Sequence, residues 1–463
     1  MNNTQQGNPG VITDARQLGV PKMLILGLQH LFAMFGATVL VPILVNSYFH
    51  GEGLSIQVTL FFAGLGTLFF HLCSKMKVPA FLGSSFAFLG GFSTVANLNS
   101  GRFADMTYGE KLPYACGGIV VAGLLYLVLA LVIRFVGVKK VMRFLPPVVT
   151  GPIIICIGLS LAESAIANAQ HNWFLACIAL AVVIIFNIWG KGMFRIIPIL
   201  MGVVLSYAAA LLMHAAGMSN PDGSAIIDFT QAAAAPWFGL PDFFICKFDI
   251  TAILVMAPIA IATMMEHVGD ISAIGGTVGK DFIADPGLHR TLIGDGVGTA
   301  IAALFGAPAN TTYGENTGVL ALTKVFDPLV IRLAAIFAVV LSFCPKFAAV
   351  ITAMPAATIG GVSIILYGMI AAIGVRNVVE NQVDFQKSRN VIIAALILCL
   401  CIGIEYSAKG SIGPFTIGSV NISLSGLAVA SIVGLVLNAV LPGKDYSFAE
   451  NPNDKLSGSL GKY

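Results

Sequence analysis

The amino-acid sequence predicts an all-α polytopic membrane protein of fourteen transmembrane segments, and three observations carry that expectation. Of its 463 residues, 57% are hydrophobic and only 10% are charged, whereas soluble globular chains run at about 45–50% apolar and about 25% charged. So little charge cannot coat a water-exposed surface, but it suits a chain whose solvent is lipid. The apolar residues fall into runs long enough to cross a bilayer. Lys and Arg, in turn, alternate in density from one loop to the next.

A bilayer core of about 30 Å requires about 20 apolar residues in a helix. Such runs fall at 23–45, 57–73, 78–97, 113–134, 144–164, 172–190, 196–216, 251–275, 291–306, 307–323, 328–345, 355–375, 389–408 and 418–441. Residues 1–20 form a polar tail ahead of them, without a cleavable leader of the usual form, and 442–463 form a second tail. With the N-terminus inside, only Arg102, Lys111, Lys247, Lys346 and Lys409 of the 25 basic residues face outward. The other twenty stay in the cytoplasm, as the positive-inside rule requires. Leaving out both tails, and Lys22 beside the first, keeps the split at fifteen to five. A miscounted span would invert half the loops and erase the asymmetry, so the pattern predicts fourteen spans and two cytoplasmic termini. The longest loop, 217–250, then lies outside and carries Asp222, Asp228, Asp242 and Asp249 against Lys247 alone.

Several function classes drop out. The net charge is +3, with no basic tract or nucleic-acid-binding signature, so nucleic acid is not an expected partner. The eight cysteines form no CxxC pair, and no disulfide, metal or cofactor is expected. Neither GxSxG, HExxH nor a Walker A motif occurs, so no catalytic constellation emerges.

Two short stretches resemble each other: Val78-Pro79-Ala80-Phe81-Leu82-Gly83-Ser84-Ser85-Phe86 and Ala307-Pro308-Ala309-Asn310-Thr311-Thr312-Tyr313-Gly314-Glu315. Each opens on Pro-Ala, passes small or aromatic residues, and enters a helical run. They occupy the third segment of each half. Seven spans per half is odd, so the repeat is expected to be inverted. Interrupted apolar segments at matching places in two halves point to a solute site at the membrane midplane. Extended backbone at that depth needs protein or a cavity to satisfy its polar groups.

Ionisable residues inside spans cost about 2.5–3.5 kcal/mol for an Asp at the helix centre, so the few present demand a role. They are His30, Glu266, His267, Asp270, Asp295 and Glu315. Glu266 and Asp270 are four apart and share a helix face. Two carboxylates at that spacing repel, and one is expected to hold a proton, a device for proton carrying. Glu315 should stand at a helix N-terminus, where free N–H groups and the dipole favour an anion. His30 is expected to be a core histidine bonded to segment eight or ten. His267 points about 100° from Glu266 and carries a weaker expectation, while Asp295 is expected to cap a helix near the cytoplasmic side.

These residues resemble a known family, the nucleobase–ascorbate transporters. Its signature reads Glu315-Asn316-Thr317-Gly318-Val319-Leu320-Ala321-Leu322-Thr323-Lys324 without departure. The likeness extends through Gln29–Pro42, Gly83–Phe88, Glu266–Gly269, Asp285–Arg290 and Thr311–Asn316, and is strongest to the uracil branch. It implies two inverted seven-segment repeats with short antiparallel strands in segments three and ten. It further implies a core domain (21–143 and 251–345) and a gate domain (144–216 and 346–441), in a bacterial inner membrane. Carried over by position, Glu266 and Glu315 bind substrate. Phe86, Tyr313 and Gly314 supply backbone donors and ring packing, and Tyr367 faces the site from the gate. Asp270, Glu266 and His30 handle protons. Asp270 departs from uracil carriers that have His there, which leaves the relay residue open. The expected activity is uracil–proton symport by alternating access, with a homodimer admitted as the assembly. Xanthine or another nucleobase remains the alternative substrate. An anion carrier of the same architecture would need a basic residue beside the two glutamates, and the sequence places none there.

Overall fold

The computed structural model describes residues 11–99, 101–195, 197–407, 411–417 and 420–443. The first half of the N-terminal tail and nearly all of the C-terminal one, together with Lys409, lie outside the described residues.

The helices are α1 (Val20–Tyr48), α2 (Ile56–Cys73), α3 (Leu89–Ala96), α4 (Tyr108–Val136), α5 (Val138–Met142), α6 (Pro147–Ser160), α7 (Ala162–Ala169), α8 (Trp173–Trp189) and α9 (Pro198–Ala215). They continue as α10 (Thr230–Ala234), α11 (Ile250–Met256), α12 (Ile259–Val278), α13 (Leu288–Leu304), α14 (Glu315–Thr323), α15 (Pro328–Ser342), α16 (Pro345–Thr352), α17 (Ala356–Glu380), α18 (Ser388–Ser407) and α19 (Gly426–Val440). The strands are β1 (Leu82–Ser84), β2 (Asn310–Thr312), β3 (Ser411–Ile417) and β4 (Val420–Ser425).

Local chemistry explains several boundaries. α4 starts on a reciprocal capping box between Thr107 and Glu110, which satisfies two orphan N–H groups. Pro258 lacks an N–H and separates α11 from α12. At Phe343-Cys344-Pro345 the chain turns by 87° between α15 and α16. Helix falls on every one of the fourteen expected runs. Among the described residues, eight helices are long and apolar enough to cross a membrane, or nine if the bent α15–α16 pair counts as one span. The segment expected from 418 becomes helical only at Gly426, because β3 and β4 pair as an antiparallel hairpin. β-Branched Ile412, Thr416, Ile417, Val420 and Ile422 favour strand there, and the Ser425 hydroxyl then accepts from the Ala428 amide to start α19.

Packing forms two sets of helices. In one, α4 lies on α13, and α2 on α13 and α15, with α1 against α15. In the other, α6 packs on α17 and α18, α8 on α9 and α17, and α18 on α19. α12 reaches from the first set to α6 and α19. Outside the spans, Lys77 pairs with Asp285 and holds its carboxyl below the usual range, tying the turn after α2 to the one before α13.

Candidate functional site

The site grows from two short strands that could not survive in lipid unpaired. β1 and β2 run antiparallel, with Leu82 opposite Thr312, Gly83 opposite Thr311 and Ser84 opposite Asn310. The Ser85 amide donates to Ala309 O at 2.9 Å, and the Tyr313 amide to Phe81 O at 2.9 Å. Side chains from neighbouring helices satisfy the rest. Thr67 accepts from the Leu82 amide at 2.9 Å, a His71 ring nitrogen meets Ala80 O at 2.9 Å, and Asn310 donates to Phe62 O at 2.7 Å. After β1 the chain enters a 3-10 turn at Phe86 and then α3; after β2 it enters α14 at Glu315. Because the strands are antiparallel, the two helices leave in opposite directions and both N-termini border the strand pair. Their positive dipole ends therefore converge on one locality.

Tyr313 locks the crossing. Its hydroxyl donates to Ser84 O at 2.8 Å, and its ring lies over Gly83. A Cβ on Gly83 would stand 2.5 Å from two carbons of that ring and 2.8 Å from Thr38 Oγ1. Gly83→Ala should therefore displace the ring, at the roughly 1–3 kcal/mol typical of overpacking. Thermal melting of the purified variant, alongside substrate binding, checks this, and an unchanged melting temperature with unchanged binding would contradict it.

A cavity of about 870 Å³ opens against these strands. Glu266, Asp270, Phe86, Tyr313 and Gly314 all line it, so the structure gathers five of the sequence-selected residues on one wall. Asp270 Oδ1 lies 3.4 Å from where a Cβ on Gly314 would stand, which places this carboxylate beside the start of α14. The Glu315 side chain lies outside the described set; its backbone begins α14, as expected. The Tyr313 amide is taken by Phe81 O, so this residue offers the cavity its ring.

Tyr367 is not on the cavity wall. It is 2% exposed and meets Phe86 edge to face with centroids 5.9 Å apart, so it touches the site through that ring. His30 is fully buried and its Nδ1 lies 3.3 Å from Asn316 Nδ2. It thus contacts segment ten, as the sequence suggested, and steadies the first turn of α14.

Asp295 differs from expectation. It sits inside α13, fully buried, with Oδ2 2.6 Å from His267 Nδ1, and caps nothing. His267 faces away from Glu266, as its 100° offset requires, but that direction carries it into α13 and β2. Ser84, Ser85, Thr150 and Thr311 also line the cavity; only the small-polar character of the repeat marked the first two and the last. At the far end the cavity reaches Thr277, Arg376 and Glu380. Arg376 there donates to Glu380 at 2.6 Å.

A cavity walled by acidic side chains and by helix starts inside a helical membrane bundle defines a solute carrier. The sequence profile of the Permease family (Xan_ur_permease) matches residues 21–410, and the chain belongs to that family, the nucleobase–ascorbate transporters. It is 39% identical to the uracil permease of Bacillus caldolyticus, covering 95% of this chain and 97% of that one. It is also 39% identical to the uracil permease of Bacillus subtilis (strain 168), over 90% and 91% of the two chains. To the putative pyrimidine permease RutG of Escherichia coli (strain K12) it is 36% identical, over 94% and 93%. Among solved structures, the transmembrane domain of the cyanobacterium bicarbonate transporter BicA superposes with a TM-score of 0.60 at 15% identity, covering 93% of this chain and 99% of that one. The murine anion transporter Slc26a9 in its inward-facing state gives 0.59 at 12% identity, covering 91% and 68%. At such identities the likeness concerns the fold alone. The chain is a multi-pass membrane permease.

Proposed function

We propose that this permease imports uracil by proton symport across a bacterial inner membrane, with both termini cytoplasmic. Fourteen spans in two inverted repeats build a core domain that moves against a gate domain. The observation that carries the reading is the shared cavity wall: carboxylates of α12 beside the converging starts of α3 and α14. Uracil presents N–H donors beside C=O acceptors on one edge. Glu266 and Glu315 accept from N–H, while backbone amides at the helix starts donate to C=O. Phe86 and the Tyr313 ring sandwich or flank the planar base.

In this reading the set of α1, α2, α4, α13 and α15 belongs to the core and that of α6, α8, α9, α17, α18 and α19 to the gate. In the same reading the end of the cavity at Thr277, Arg376 and Glu380 faces the cytoplasm. Arg376 is engaged by Glu380 at this mouth and does not make the basic solute pocket an anion carrier would need. A proton taken up outside neutralises Asp270 and lets the loaded core move; His30 joins the relay through Asn316 at the head of α14.

A base with the reversed donor–acceptor pattern leaves buried groups unpaired, at about 1–3 kcal/mol each. Uptake of labelled uracil into proteoliposomes under an inward proton gradient, challenged with a panel of bases, tests the reading. Uracil should compete best, and cytosine and xanthine should compete weakly. Uptake indifferent to the proton gradient, or stronger competition by xanthine, would overturn it.

A further inference from the structure

The long loop between α9 and α11 changes character along its length. Its first half carries Asp222 and Asp228, yet seven of the thirteen residues 236–248 are Trp, Phe, Leu or Ile. Those side chains turn away from the protein. Phe238 is 87% exposed and Leu240 81%, and Trp237, Ile245 and Phe248 are each more than half exposed. So large an apolar surface marks a place that something apolar covers. The backbone holds this strip to the bundle. The Lys346 amide donates to Pro236 O at 2.9 Å and the Gly239 amide to Phe343 O at 3.1 Å. Further on, the Cys246 amide donates to Leu304 O at 3.0 Å and the Lys247 amide to Pro113 O at 2.9 Å. The strip therefore crosses the finish of α15, the finish of α13 and the start of α4 in turn.

Its depth follows from what it touches. Phe243 meets Phe61 and Phe62 edge to face, with centroids 5.3 and 5.9 Å away. Phe61 is the sixth residue of α2, so the contact lies roughly 8 Å along the axis from the helix start. An in-plane segment buries its apolar side about 5–10 Å into the boundary between headgroups and acyl chains. About one turn deeper the same helices present Leu65 of α2, Ile301 of α13 and Val340 of α15 outward. In a chain that spans a membrane these faces meet acyl chains, and the strip continues them. Polar groups set the upper limit. The amides of Phe243, Phe244 and Ile245 have no protein acceptor among the described residues, and Asp242 is exposed. Pure hydrocarbon would leave these groups unsatisfied, whereas water and headgroups serve them. Lys346 Nζ stands 5.7 Å from the centre of the Trp237 ring at one end. Lys247 Nζ stands 5.8 Å from that of Tyr114 at the other. Aromatic rings at headgroup level, with an ammonium reaching towards lipid phosphate, are the pattern of a membrane interface.

We infer that residues 236–248 form an interfacial lipid-binding strip. Its apolar side chains lie among the upper acyl chains of phospholipids, and its lysines lie level with the phosphates. Through the four backbone pins it fastens α4, α13 and α15 to one leaflet. The occupant is lipid and not a second copy of the chain, because the strip is one chain wide and runs on into the acyl-facing sides of the helices.

Trp237 is the built-in reporter. The chain has three tryptophans, and Trp173→Phe combined with Trp189→Phe leaves only this one. In phosphatidylcholine proteoliposomes its emission should be blue-shifted and shielded from aqueous iodide. Lipid brominated near the top of its acyl chains should quench it more than lipid brominated near their ends. Water-like emission with full access to iodide would overturn the inference. Shielding from iodide without quenching by either brominated lipid would also overturn it, since protein would then cover the ring. Should the doubly substituted chain fail to elute as a monodisperse species, hydroxyl-radical footprinting of the wild-type protein, one copy per nanodisc, decides. Trp237 and Phe238 should be protected while Met218, exposed in the first half of the same loop, is oxidised. Oxidation of all three alike would eliminate the strip.

Discussion

Glu266→Gln is expected to weaken uracil binding by roughly 10- to 100-fold, and Glu315→Gln by a similar factor. Hydrogen bonds to a charged group contribute about 1.5–3 kcal/mol against about 0.5–1.5 for neutral partners, and every 1.4 kcal/mol is about tenfold in Kd. A carboxylate offers two acceptor oxygens to the N–H groups of the base. A carboxamide offers one oxygen, and its NH2 opposes any second N–H. Glu266 is half-buried on the cavity wall, and Gln has nearly the same volume, so the substitution leaves no cavity behind and should leave the melting temperature near that of the wild type. Isothermal titration in detergent, paired with melting curves, separates lost binding from lost fold. A well-folded Glu266→Gln protein that binds uracil with wild-type affinity would remove Glu266 from the pocket.

Much of the wall was legible because lipid makes buried charge conspicuous. Glu266 and Asp270 stand out in a run with no Lys or Arg to balance them, and their spacing of four puts both on the face that the cavity occupies. The twin Pro-Ala breaks were readable for a similar reason, since interrupted backbone at that depth must find partners, and β1 and β2 find each other. What stayed hidden depends on tertiary approach. His267 carries the weaker expectation because it turns away from Glu266, yet turning away is what brings it to Asp295, 28 positions further along on a neighbouring helix. Asp295 between two glycines looked like a helix start, whereas those glycines serve the close packing of α13 on α2 and α4. Tyr367 was expected at the pocket surface; Phe86 covers it, because the pair packs edge to face. The apolar run from 418 takes in the second strand of the hairpin before α19, since strand and helix residues there have the same hydropathy.

Asp270→Asn should separate binding from coupling. The side chain lines the cavity beside Gly314, one turn along α12 from Glu266, and Asn keeps its size while imitating the protonated, uncharged acid. With that site permanently neutral, the core can cross the gate whether or not a proton is available. Uracil should still bind with an affinity within about threefold of wild type, because the two acceptors that meet the base are untouched and a neutral hydrogen bond is worth about 1 kcal/mol. Exchange of labelled for unlabelled uracil should persist, since it needs only the movement of loaded carrier. Accumulation against a gradient should disappear, because a solute flux no longer tied to a proton flux dissipates whatever gradient it builds. The comparison is made in one set of proteoliposomes, with uracil exchange measured at equal pH and uptake measured with acid outside. An Asp270→Asn carrier that still concentrates uracil under the imposed gradient would exclude Asp270 as a coupling residue, and the load would then fall on Glu266.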